Sequence, residues 1–208
     1  MRLFSMLITL FSSSFAYATG DSPNASATLT LQREAPPAAS IPAPQWYLDD
    51  IDFLTRDGGR WVTSNADYMS ENEPMESYVI VWEKGYANSM TGRLFAMTDG
   101  EETGDFWRFR QYWHAGEGKA VLEQFGFGGA IGLGVIWRED DKMKTVQTFY
   151  PPDGATSAPA MQGHIAYNPD ANTHVTESYT IADGEWRPNR VYRWRRDTAS
   201  EETKPDTE

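Results

Sequence analysis

Few residues in this chain could make or break a bond. There are three histidines (His114, His164 and His174) and no cysteine. Cysteine nucleophiles, thiolate metal sites and disulfides are therefore excluded. His114 ends a strand-like run beside Ala115-Gly116-Glu117-Gly118, and His164 and His174 flank the turn signal from Asn168 to Asn172. With a five-residue turn these two fall diagonally on one face. The register derived below puts that face outside. Two such imidazoles lack a third ligand, and no H-E-x-x-H is present, so no metal is expected. The glycine-dense run Gly126 to Gly134 holds a G-x-G at Gly132 and Gly134. It lacks the third glycine and the helix of a dinucleotide loop, and a glycine-kinked hairpin explains it better. Glu101-Glu102 and Asp140-Asp141 fall in turns, where solvated charge is expected. One charged pair, Glu177 with Arg190, is placed by the pattern in an apolar setting.

That placement comes from the last hairpin. Asp183-Gly184 suits a two-residue type I′ turn. Ala182 then pairs with Glu185, and Glu177 lies opposite Arg190. One face carries Val175, Glu177, Tyr179 and Ile181 against Tyr192, Arg190, Pro188 and Trp186. The other carries His174, Thr176, Ser178 and Thr180 against Arg193, Val191, Asn189 and Arg187. The first face is apolar and aromatic, so it is expected to point inward; a one-residue slip would put its rings in water. Glu177 and Arg190 then form either a structural ion pair or a polar anchor for a ligand or for acid–base work.

The elements that must position these residues are short strands. Turn signals recur at roughly 10–14 residue spacing, the rhythm of an all-β sandwich or barrel. Strands are expected at 60–65, 76–84, 89–98, 104–114, 119–127, 130–138, 142–150, 157–167, 172–182 and 186–195, after a short helix over 45–56. Ten sequential strands favour an antiparallel up-and-down barrel, whose closure removes exposed edges. In the strand from Gly104, the set Trp107, Phe109, Gln111 and Trp113 is assigned inward, with Arg108 and Arg110 outside. Thr145, Gln147 and Phe149 line the same interior, because Lys142 and Lys144 belong in solvent. Tyr78, Ile80 and Trp82 form the more aromatic face of the second strand. For Val121, Glu123 and Phe125 against Leu122 and Gln124, the pattern leaves both choices open.

The segment Phe53-Leu54-Thr55-Arg56-Asp57-Gly58-Gly59-Arg60-Trp61 resembles the start of a lipocalin-like barrel of the calycin superfamily. There, a short helix leads into G-x-W at the first strand, and Gly59-Arg60-Trp61 matches that triplet. Strand count brings the chain nearest the nitrobindin-like barrels. The resemblance implies structural roles for Gly59 and Trp61, with Arg193 or Arg195 from the last strand covering the Trp61 ring. It also raises haem as a cofactor, held by a histidine inside the wall. Since the register sets His174 outside, no cofactor is expected.

The chain has 208 residues, 30 acids and 18 bases, for a net charge of −12. Nucleic acid is not expected as a partner, because it requires clustered Lys and Arg. Arg2, the apolar run Leu3 to Phe11 and Ala16-Tyr17-Ala18 read as a signal peptide over 1–18, too short for a membrane span. The mature chain is expected to be periplasmic or secreted, with no transmembrane segment. Residues 19–44 read as a Pro/Ala/Ser-rich linker, 45–196 as the barrel domain and 197–208 as an acidic disordered tail. The function expected is binding of a small, partly apolar molecule by Trp82, Trp107, Phe109, Gln111, Trp113, Gln147, Glu177, Tyr179, Arg190 and Tyr192. The alternative is a small cofactor-independent enzyme (cyclase, isomerase, hydratase or lyase) with Glu177, Tyr179 or Tyr192 as its acid–base group.

Overall fold

In a computed structural model, which describes residues 40–152 and 158–198, period-two patterning becomes a closed antiparallel barrel. The signal-like segment, most of the linker and most of the acidic tail lie outside the described residues. The strands are β1 (Arg60–Ser64), β2 (Ser77–Lys84), β3 (Ser89–Thr98), β4 (Glu101–Glu102), β5 (Trp107–His114), β6 (Lys119–Gly126), β7 (Ile131–Glu139), β8 (Lys142–Tyr150), β9 (Ala160–Asp170), β10 (Thr173–Ala182) and β11 (Glu185–Arg196). Ten of them form the wall in the order β2-β1-β11-β10-β9-β8-β7-β6-β5-β3, and β3 pairs back onto β2 to close the ring. The two-residue β4 sits beside the far end of β3. Glu102 in β4 is more than solvated charge: it takes Arg93 at 2.6 Å and Arg60 at 3.7 Å. Those guanidiniums cover the outward ring of Phe95, which is fully buried beneath them.

Helix α1 (Gln45–Thr55) closes one end of the barrel. Its apolar residues Tyr47, Ile51 and Leu54 recur at helical spacing and form one buried stripe. They pack on Trp61, Met90, Ala120, Ile136 and Trp194, which the barrel topology brings to the same end. Before the helix, the backbone N–H of Ile41 donates to Ala115 O, and Trp113 Nε1 donates to Ile41 O at 2.8 Å. The last linker residues are thus fastened to the β5–β6 turn. After the helix, Gly59 adopts φ +63°, and a Cβ there would lie 1.9 Å from Trp82 O. Only glycine fits this position. Trp61 Nε1 then donates to Leu54 O, tying β1 to the helix.

The residue that covers Trp61 is Arg196, whereas the family resemblance implied Arg193 or Arg195. Its guanidinium lies 4.1 Å from the Trp61 ring centre and donates to Arg56 O and Phe53 O, both at 2.8 Å. Even-numbered residues at the end of β11 face inward, so Arg193 and Arg195 are exposed. Arg196 also satisfies carbonyls at the C-terminal end of α1 that have no partner within the helix.

The last hairpin corrects the inferred register. Asp183 and Gly184 both have positive φ, and Ala182 pairs with Glu185 as the type I′ turn requires. At Pro188 and Asn189 the register then shifts by one residue. Pro188 has no N–H to give the ladder, and the Ser178 hydroxyl instead bonds both the N–H and the carbonyl of Arg190. Arg190 lies opposite Ser178, and Glu177 opposite Val191. Inward on β10 are His174, Thr176 and Ser178; Glu177 and Tyr179 face out. Tyr179 meets Trp186 at a tilt, ring centres 5.4 Å apart, outside the barrel, and Tyr179 Oη donates to Glu177. The barrel does not depend on that face, because its closure rests on the β2–β3 ladder. The outer wall carries exposed apolar side chains elsewhere too, including Ile131, Leu133, Val135 and Trp137 along β7.

Candidate functional site

The lumen is a cavity of about 540 Å³. This falls in the range of small-molecule pockets. Aromatic rings from β2, β5 and β8 line one part of it: Tyr78, Trp82, Trp107, Phe109 and Phe149. Two glycines keep two of these rings, Trp82 and Phe149, against the wall. A Cβ on Gly92 would meet the Trp82 ring at 2.6 Å, and one on Gly132 would meet the Phe149 ring at 2.7 Å. Each ring therefore lies over a neighbouring strand's glycine instead of filling the lumen. Part of the glycine-dense run thus has a role beyond the hairpin bend.

Across the remaining wall runs a polar band set by strand register. The row Gln111–Leu122–Gly134–Gln147–Gln162 crosses β5 to β9, and the row Ile136–Thr145–His164–Ser178–Arg190 crosses β7 to β11. Among the described residues, three amide or imidazole atoms on the inward faces of these strands have no hydrogen-bond partner. They are Gln124 Oε1, Gln147 Nε2 and His164 Nε2. Gln124 is 8% exposed and Gln147 1%. Buried polar atoms normally find a partner, so these three are exceptions to the usual pairing.

At the rim, Arg190 grips Glu73 from the β1–β2 loop with two hydrogen bonds of 2.5 and 2.6 Å. Tyr78 Oη also donates to Glu73, and Arg190 donates to Tyr192 Oη at 3.0 Å. Tyr192 Oη in turn donates to Asn65 Oδ1. Arg190, foremost through its hydrogen bonds, holds the Glu73 carboxyl down to about 2. Burial, with the adjacent Glu73, pushes the Tyr78 phenol up. Glu73 thus occupies the role expected of Glu177, and it comes from a loop that strand pairing does not reach.

Both inward histidines are neutral at pH 7, because burial lowers each imidazole to about 4. His174 Nδ1 lies 2.7 Å from Asn168 Oδ1, and its ring faces Trp61 and Phe53. The expectation that His164 and His174 lie outside is overturned. They are also too far apart to share an ion. His174 is level with Asn168, four residues along β9 from His164, or about 13 Å.

At the closed end lies an acid that sequence reasoning missed. Asp50, on α1 one turn before Leu54, lines the cavity with it. Among the described residues its carboxylate has one hydrogen-bond partner, Gln111 Nε2, at 3.5 Å. Burial lifts its pKa to about 6. The only available signal was the position of Asp50 between Tyr47, Ile51 and Leu54 on the helix's buried stripe.

Of the residues expected to bind a ligand, Trp82, Trp107, Phe109, Gln111, Arg190 and Tyr192 line the cavity. Gln147 is buried on the same face behind it. Trp113 faces inward but packs on Tyr47 below the cavity floor, at 5.7 Å. Glu177 and Tyr179 are outside. Leu122 and Gln124 resolve the open choice on β6, both facing the cavity.

Neither the protein-family models nor the curated proteins compared with the chain match it. The closed ten-stranded antiparallel barrel is consistent with a calycin-like fold. No helix among the described residues is long and apolar enough to cross a membrane.

Proposed function

We propose that this chain is an exported, lipocalin-like protein that holds a small, partly apolar molecule inside its barrel. The supporting observation is the cavity of about 540 Å³, walled by rings on one part and by the unpartnered polar atoms of Gln124 and His164 on another. The signal-like N-terminus supports export. A carrier is favoured over a cofactor-independent enzyme because two of the three expected acid–base groups, Glu177 and Tyr179, face away from the cavity. Native mass spectrometry of the protein purified from its own host tests this. A bound small molecule, lost in Ala166→Trp, which fills the lumen from β9, is the expected result. Ligand-free protein that also binds no member of a hydrophobic fluorophore panel would refute it.

The inward histidines support a second reading, haem binding in the manner of nitrobindin-like barrels. Either His164, with its buried Nε2 unpartnered, or His174 would hold the iron, since the two are too far apart to share it. Bound haem would supply redox and gas-ligand chemistry. A Soret band on haem addition, abolished by His164→Ala or His174→Ala, is the expected outcome; unchanged spectra in both variants would eliminate this reading.

A further inference from the structure

The charges that face the cavity do not balance. Arg190 is matched by Glu73 through paired hydrogen bonds of 2.5 and 2.6 Å. His164 and His174 are held neutral by burial. Asp50 remains, an acid with a single 3.5 Å contact to a neutral amide. Its only cationic neighbours in the sequence of α1 and the loop after it, Arg56 and Arg60, are engaged elsewhere: Arg56 with Asp57, and Arg60 with Asp197 and Glu102. An ionised carboxylate in such a place is costly unless a cation meets it. The surroundings also suit a cation of a particular kind. Trp194 and Leu54 line the same end of the cavity, and Trp82 and Phe109 line the wall beyond. Ring faces attract organic ammonium groups, most strongly where water is excluded. A bare metal ion would need several oxygen or imidazole ligands together, and the described residues hold no group of three His, Asp or Glu side chains at one place.

We infer that the ligand is an organic amine: Asp50 receives its ammonium group at the closed end of the barrel, and Trp82, Phe109 and their neighbours enclose its apolar body. This rests on the binding function proposed above and names the ligand's chemical class.

Three probes of one shape separate the possibilities: 2-naphthylmethylammonium, 2-naphthylmethanol and 2-naphthoate, titrated at pH 7.5 by calorimetry and tryptophan fluorescence. The amine is expected to bind at least tenfold more tightly than the alcohol, and the carboxylate least tightly. Asp50→Asn should bring amine and alcohol to within about twofold, with the alcohol's affinity kept. Asp52→Asn, an exposed acid of the same helix paired with Lys84, should keep the preference, as should 0.5 M salt. A second readout needs no variant. At pH 5, below its value of about 6, the Asp50 carboxyl carbon should move to its ionised chemical shift on adding the amine and stay in place on adding the alcohol. Equal binding of amine and alcohol by the wild type would overturn the inference and leave the cavity's binding function standing. So would an amine preference that survives Asp50→Asn or disappears in salt. Binding of none of the three probes would remove both.

Discussion

Asp50→Asn should stabilise the protein at neutral pH, although the residue is half-buried and hydrogen-bonded. The Asp50 carboxyl is raised from 3.8 to about 6, with desolvation as the cause. A raised carboxylate constant means that the folded state holds the proton more tightly than the unfolded state. Stability is then greatest below about pH 4, falls as pH rises to about 6, and is level above that. At 1.36 kcal/mol per unit, the ionised group costs about 3 kcal/mol at pH 7.5 and about 1 kcal/mol at pH 4.5. Water in the cavity solvates the charge and makes these upper values. Asparagine keeps the shape and can still meet Gln111, without the charge. Asp50→Asn should therefore gain up to about 3 kcal/mol at pH 7.5, and the gain should shrink by about 2 kcal/mol at pH 4.5. For a domain of this size that is roughly 6–12 °C in Tm at the higher pH. Urea titrations followed by tryptophan fluorescence at both pH values provide the measurement. The neutral histidines lower stability on acidification in both variants, so they cancel in the difference. A variant no more stable than wild type at pH 7.5, or an equal gain at both pH values, would refute the reasoning. A stabilising substitution at a lumen residue would also fit a site that trades stability for binding.

Three further outcomes follow from the geometry. Arg196→Ala should lose about 2–4 kcal/mol in urea, since it removes two hydrogen bonds and the cover of Trp61, whereas Arg193→Ala and Arg195→Ala should each stay within about 0.5 kcal/mol. Gly92→Val should cost about 1–3 kcal/mol, because its side chain would enter the Trp82 ring, and thermal unfolding with near-ultraviolet circular dichroism would show the displaced indole. For the histidines the sign opposes that of Asp50: their folded constants are depressed, so their contribution is full above about pH 6.5 and is lost towards pH 4. His164→Gln should flatten the acid limb of the stability profile by up to about 3 kcal/mol; an unchanged limb would contradict a buried neutral imidazole.

Much of the wall was legible before any coordinates. Lys142 and Lys144, or Arg108 and Arg110, alternate with apolar or amide side chains, and a long cation belongs in water whatever the fold. That logic oriented β5 and β8 as observed, and the aromatic face of β2 likewise. It failed on β10, where both faces are mixed. The rule that rings go inward assumes a filled core. Here the lumen is a cavity with polar groups along one wall, and a Tyr179–Trp186 pair lies outside. The bulge at Pro188 and Asn189 then changed every pairing beyond it. Glu73 was illegible for another reason: it reaches Arg190 across 117 residues, from a loop that strand periodicity does not describe.

The sequence by itself determined most strands and turns and the helix that leads into G-x-W, although the five-residue turn expected over Asn168 to Asn172 is only Ala171-Asn172, because β9 runs on to Asp170. These depend on local backbone preference and side-chain alternation, which neighbouring residues settle among themselves. Only the tertiary structure decided which charges meet and which face water. Closing the ring brought Arg190 to Glu73, set both histidines in the lumen and left the Asp50 carboxylate there without a cation. Electrostatic partnership and desolvation depend on distances through space, and those exist only once the barrel has closed.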